Sequence, residues 1–310
     1  MLIALVFLLI LLIETVELFY RFSKEYRFTR KSVAHLDGKI PKDLEVVIIG
    51  SGPGKEDISF DYCPDVGYNF CTAPQSLKYS FRILKRFSNK IKKNAVVIII
   101  ICPLSFGNNS DVLNADYSDK FYGILPAKDI DGYSLKRALM LRHPVCMKLI
   151  NRIKPQKNHS TTDSALSDEL LIIRTWKRQF NLVDFKDAAQ SGAHKQAFAE
   201  KTEILITGID YCLRKRFKPV LVIPPIPSEV RNYFSEDFLK AFLHDNLNTV
   251  REKFDDVLLI DYYSDPAFSD EMFGNVIFLN QHGREKFSTS LFDAVERMKK
   301  GEKSSHGHHI

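Results

Sequence analysis

A β-branched run that halts on a cluster of glycines constrains this chain more than any other stretch. Glu45-Val46-Val47-Ile48-Ile49 ends abruptly at Gly50-Ser51-Gly52-Pro53-Gly54. A short apolar strand followed by a tight glycine turn is how an α/β unit opens. Ligands of such sheets sit beyond the carboxyl ends of the strands, so this loop largely sets the chemistry open to the chain.

The rest of the body extends the pattern. Ala95 to Ile101 is a continuous Val/Ile run, as expected of a strand buried on both faces of a parallel sheet. Pro219 to Ile223, stopped by Pro224-Pro225, and Val257 to Ile260 read as further strands. Helical spacings separate them: Gln75 to Lys92, Ala193 to Phe217, Ser235 to Phe254 and Gly283 to Lys299. The alternation predicts a doubly wound α/β domain over residues 45–300, with a mostly parallel sheet and helices on both faces. Residues 103–190 break the rhythm and read as an insertion, with turn signals and a short helix near Leu135 to Leu141. The polar tail, 301–310, reads as disordered; its His306, His308 and His309 are the alternative, a metal-binding tract.

At the other end, Leu2 to Ile13 is uninterruptedly apolar, and the character persists to Tyr20 apart from Glu14, Thr15 and Glu17. The stretch approaches the roughly 20 residues that span a bilayer as a helix. Residues 1–20 are therefore expected to be a membrane anchor and 21–44 a connector, with a buried core helix as the alternative. Glu14 and Glu17 share a helical face and are expected to reach headgroups or a partner protein. No charged segment precedes the run and no small-residue cleavage site follows it, which disfavours a cleaved signal peptide. Arg21, Lys24, Arg27, Arg30 and Lys31 all follow the span, a bias that would keep the body cytoplasmic.

Composition removes several classes. The net charge of +6 is dispersed, and no basic stripe interleaves with aromatics as a nucleic-acid groove requires. The five cysteines form no CxxC pair, which argues against a zinc site and a dense disulfide framework. They are expected to be buried free thiols, with a Cys63–Cys71 bridge as the alternative. The dinucleotide fingerprint fails too, because its third glycine is Lys55 here and Glu56-Asp57-Ile58-Ser59 do not open an amphipathic helix. The Gly50–Gly54 loop remains as a phosphate cradle in an alternative, nucleotide-binding reading. No cofactor or metal is expected.

Both ends of the body point elsewhere. Gly50-Ser51-Gly52, then Tyr68-Asn69-Phe70, then Gln75-Ser76-Leu77-Lys78-Tyr79 resembles the start of the SGNH/GDSL-type proteins encoded with bacterial surface polysaccharides. The segment from Asp265 to Gly283, with Asn275-Val276-Ile277-Phe278-Leu279-Asn280, is similar to that family's final block before its last helix. The resemblance implies an SGNH/flavodoxin-like fold, and an O-acyl esterase or acyltransferase chemistry on cell-surface glycans. It places the nucleophilic serine at Gly52, the base histidine at Phe278 and the aspartate that orients it at Asn275. None of the three can perform its role. The resemblance thus implies a pseudoenzyme with an accessory or glycan-binding role, beside a membrane-bound O-acyltransferase and outside the cytoplasm, against the charge bias. Gly50, Gly52, Asn69, Asn108, Asn275 and Asn280 are the expected lining of its crevice. The alternative is a working esterase in which Ser51 or Cys71 is the nucleophile and His282 the base, His282 facing the crevice if the segment from Phe278 is helical.

Overall fold

The glycine-terminated run becomes β1 (Leu44–Ile49), the second strand of a five-stranded, all-parallel sheet. The computed structural model describes residues 2–107, 118–146, 168–186 and 192–301. Helices α1 (Leu2–Arg21) and α2 (Lys24–Arg30) precede β1. After it come α3 (Gly52–Glu56), β2 (Gly67–Asn69), α4 (Leu77–Phe87) and β3 (Ile91–Ile100). The helices α5 (Leu135–Arg142), α6 (Asp168–Gln179) and α7 (Gly192–Arg214) lead to β4 (Lys218–Ile223). Then follow α8 (Ser228–Arg231), α9 (Glu236–Leu239), α10 (Asp245–Lys253), β5 (Leu258–Asp261) and α11 (Gln281–Lys299).

The chain divides into two compact units, Met1–Lys39 with Leu113–Ser164, and Ile40–Val112 with Ala165–Ile310. In the larger unit the strand order is β2-β1-β3-β4-β5. This is a common doubly wound order, whose switch point lies between β1 and β3. The register is continuous across the middle, with Ile48 beside Ile98 and Ile98 beside Val220. Val46, Ile48, Val96, Ile98, Val220 and Val222 pack against Phe287, Leu291, Phe292 and Val295 of α11. The alternate residues Val47, Ile49, Val97, Ile99 and Leu221 are equally buried, so both faces of the sheet are covered. Helices α4 and α7 pack together so closely that Gly208 seats on the Phe81 ring; a β-carbon there would lie 2.2 Å from Cζ.

Several expectations change. The glycine turn itself forms a short helix, α3, from Gly52 to Glu56, and as expected no amphipathic helix opens over Glu56 to Ser59. Expected connector 21–44 contains α2 and a 3-10 turn at Ala34–Asp37. The helix expected over Ser235 to Phe254 is split by a π turn at Lys240–His244. The insertion expected over 103–190 is also divided: Leu113–Ser164 groups with the N-terminal segment, whereas α6 belongs to the α/β unit.

In the smaller unit, α1 is long and apolar enough to cross a membrane, with mean hydropathy 2.4 and nearly all of its side chains exposed. Glu17 is the exception. It is buried, and its two carboxylate oxygens accept the N–H groups of Val145 (3.1 Å) and Cys146 (3.0 Å), in a helical turn that opens at Pro144. Glu14 lies 3.8 Å from His143 Nε2, and Arg21 Nη2 donates to the Arg142 carbonyl at 3.3 Å. Of the face expected to meet headgroups or another protein, Glu17 is thus bonded to the chain's own 145–146 backbone, while Glu14 stays half-exposed.

Candidate functional site

Close packing explains the glycines of the first loop. Gly50 has φ +146°, a conformation that side-chain-bearing residues rarely adopt, and a β-carbon there would lie 2.7 Å from Cβ of Ile100. At Gly54 a β-carbon would lie 2.5 Å from Cys71 Sγ and 2.9 Å from Ile100 Cγ1. The loop is pressed onto β3 and the segment after β2, at the switch point where a doubly wound sheet offers its crevice. Pro53 supplies a preset φ at the start of α3.

The decisive contact is at Gly52. Its missing side chain points at Phe278, whose Cζ and Cε1 would lie 3.1 and 3.2 Å from a β-carbon, with Ala73 Cβ behind at 3.8 Å. The positions expected for nucleophile and base, drawn from opposite ends of the α/β unit, are therefore neighbours. A serine and a histidine so placed would be within reach of one another. The pair present offers only hydrogen and an apolar ring.

Asparagines hold this arrangement together. Asn275 Oδ1 accepts from the backbone N–H of Ile277 (3.0 Å) and Phe278 (2.9 Å), folding a tight turn that presents the phenyl ring. Asn280 caps α11 through Gly283 N–H (3.0 Å) and donates to the Glu271 carbonyl (2.7 Å). Asn69 donates to the Gly54 carbonyl at 2.6 Å and accepts from Cys71 N–H at 2.9 Å, tying β2 to α3. Asn108 lies outside the described residues.

The alternative nucleophiles are placed less favourably. Ser51 Oγ accepts from Gln75 N–H at 3.1 Å, and no hydrogen bond joins it to His282. Gln75 in turn accepts from Thr72 Oγ1 (2.6 Å) and donates to Ser80 Oγ (2.9 Å), so Ser51 belongs to a buried polar clamp. The segment between Phe278 and His282 is not one helix: α11 starts at Gln281, and His282 is exposed on its first turn. Helical spacing therefore does not bring His282 to the crevice. Cys71 is fully buried, and that burial, with Cys102 beside it, pushes its thiol far above the ordinary range and away from the reactive thiolate. All five cysteines are free, Cys63 and Cys71 included. Among the described residues no group of three His, Cys, Asp or Glu side chains could hold a metal ion.

Asp57 was invisible to sequence reasoning and proves central. It is fully buried at the end of α3, and its Oδ1 accepts from Leu279 N–H at 2.9 Å. Its Oδ2 has no partner, and neither does the buried Nε of Arg284. Burial pushes its carboxyl well above the usual carboxylate range, against the Leu279 hydrogen bond and the Arg284 charge. Asp57 fastens the loop bearing Gly52 to the strand of chain bearing Phe278. The only sequence signal was an acid three residues after the last glycine of the loop. Compared with known proteins, the chain matches no family model, and no curated sequence is significantly similar to it.

Proposed function

We propose that this is a membrane-anchored SGNH-like protein that has lost the Ser/His/Asp machinery and serves as an accessory or glycan-binding component of cell-surface polysaccharide assembly or O-acylation. The contact between Gly52 and Phe278 at the switch point carries the reading. It joins the two positions to which the resemblance assigns nucleophile and base, is held by Asn275 and Asp57, and offers neither reacting group. Helix α1 would be the single-pass anchor, with the α/β unit outside the cytoplasm and a membrane-bound O-acyltransferase as partner.

The test is an ester-hydrolysis assay on the full chain in detergent, with a chromogenic acetyl ester. The wild type should not exceed background. A Gly52→Ser/Asn275→Asp/Phe278→His variant should exceed it by roughly 10²-fold, the scale of a restored general base. Histidine is also smaller than phenylalanine, which relieves the contact that a serine at position 52 would otherwise make. Wild-type turnover that disappears in Ser51→Ala would overturn the reading. Protease protection of the α/β unit in intact cells would overturn its orientation.

A further inference from the structure

The smaller unit contains a helix that has no reason to persist in water. Helix α5 has only eight residues and buries none of them. Isolated helices of that length are marginal in water, and most helical stability comes from packing an apolar face. Leu135 and Leu139, one turn apart, are 73% and 58% exposed, and Tyr133 before them is also exposed. What holds α5 is polar: Ser134 caps it through Arg137 N–H, and the Arg137 guanidinium pairs with Asp119.

Its position along α1 is fixed by hydrogen bonds. Arg21 at the end of α1 donates to the carbonyl of Arg142 at the end of α5. Glu17, one turn back, holds the N–H groups of Val145 and Cys146. The C-terminal end of α5 therefore lies where the apolar span stops, and its eight residues are about 12 Å long. Around and just past the end of the span the chain carries exposed Phe19 and Phe22 and the exposed cations Arg21, Lys24, Arg27 and Lys31, and α5 carries exposed Lys136 and Arg142. Among the described residues, Lys24, Arg27, Lys31, Lys136 and Arg142 make no ion pair; Asp37 and Asp119 are taken by Arg30 and Arg137. Aromatic rings, exposed leucines and unneutralised cations at one end of a span match an anionic lipid interface.

We propose that α5 is a second membrane contact, an interfacial helix that lies in the headgroup layer beside the basic end of α1 and prefers anionic lipid. The proposal rests on α1 spanning the bilayer. Leu135 and Leu139 would enter the acyl boundary while Lys136 and Arg142 meet lipid phosphates.

The experiment uses the full chain in phosphatidylcholine vesicles with and without phosphatidylglycerol. Trp176 is the only tryptophan, so Trp176→Phe gives a dark background into which Leu139→Trp or, in α1, Phe7→Trp is placed. Lipids brominated near the headgroup should remove roughly half of the Leu139→Trp emission when phosphatidylglycerol is present, and much less without it. Adding Lys136→Glu and Arg142→Glu should abolish that dependence. Phe7→Trp should be quenched by deep bromines in both lipids. Quenching of Phe7→Trp with none at Leu139→Trp would overturn the α5 contact and leave the anchor standing; absence of both would overturn both. Shielding of Leu139→Trp from bromolipid and from aqueous iodide alike would assign the face to a protein neighbour and overturn the lipid contact.

Discussion

Strand β3 and helix α1 each carry a long apolar run and are both about 30 Å long, at 3.3 Å per residue for one and 1.5 Å for the other. Their surroundings are opposite. In β3 the backbone groups are satisfied by β1 on one side and β4 on the other, and the side chains from Ala95 to Ile101 are buried. In α1 the backbone is satisfied within the helix, and most of the apolar side chains are exposed. A strand can be apolar only inside a completed sheet, whereas a helix can be apolar with no protein around it, given lipid. Composition alone does not separate these cases. The backbone's own hydrogen bonding does.

The sharpest way to break this contrast is a charge in each run. Ile98→Asp should abolish the cooperative unfolding transition, because an unpaired buried carboxylate costs more than a domain's marginal stability can absorb. Leu8→Asp should leave the thermal transition of the α/β unit unchanged yet release chain from membranes in an alkaline wash, at about 3 kcal/mol of insertion energy. Truncation gives a milder version. Ile98→Ala should cost about 2–5 kcal/mol by denaturant unfolding, and Leu8→Ala less than about 0.5 kcal/mol.

Gly54→Ala probes packing at the crevice end of the buried run. Its new methyl group would collide with Cys71 Sγ and Ile100 Cγ1, and a loss of about 1–3 kcal/mol is expected from the denaturation midpoint. The smallest effect concerns pH. The folded pKa of Asp57 is raised, so above about pH 4 the unfolded chain ionises this group while the folded chain keeps its proton. The contribution of Asp57 to stability therefore declines as pH rises, until the folded pKa is passed. In Asp57→Asn, which keeps an acceptor for Leu279 N–H, that decline should vanish. The variant's stability relative to wild type should grow with pH in urea titrations across the weakly acidic range; a constant difference would contradict the burial argument.

The sequence disclosed the strands that a Val/Ile run can disclose. Strands β1, β3, β4 and β5 fall on their predicted segments, because continuous β-branched character is a local property. Strand β2 has three residues, all half-buried, and no periodicity can mark so short an element. The juxtaposition of Gly52 with Phe278 followed from reading two loops together. Bringing His282 to the crevice by helical spacing would need a helix from Phe278, whereas Asn275 turns the chain up to Phe278 and Asn280 starts α11 only at Gln281. Asp57 could not be foreseen: its role depends on the backbone N–H of Leu279, a partner that no local pattern announces.

That hydrogen bond spans 222 residues of chain, and the distance orders the protein's biosynthesis. A nascent chain with every strand already outside the ribosome still lacks Leu279 and all of α11. Until they emerge, Gly52 has no phenyl ring over it, and the sheet face of Val46, Ile48, Val96 and Ile98 is open to chaperones or to another chain. The crevice closes only after every strand of the sheet has been made, and a premature stop before Leu279 would release a sheet with its sticky side uncovered.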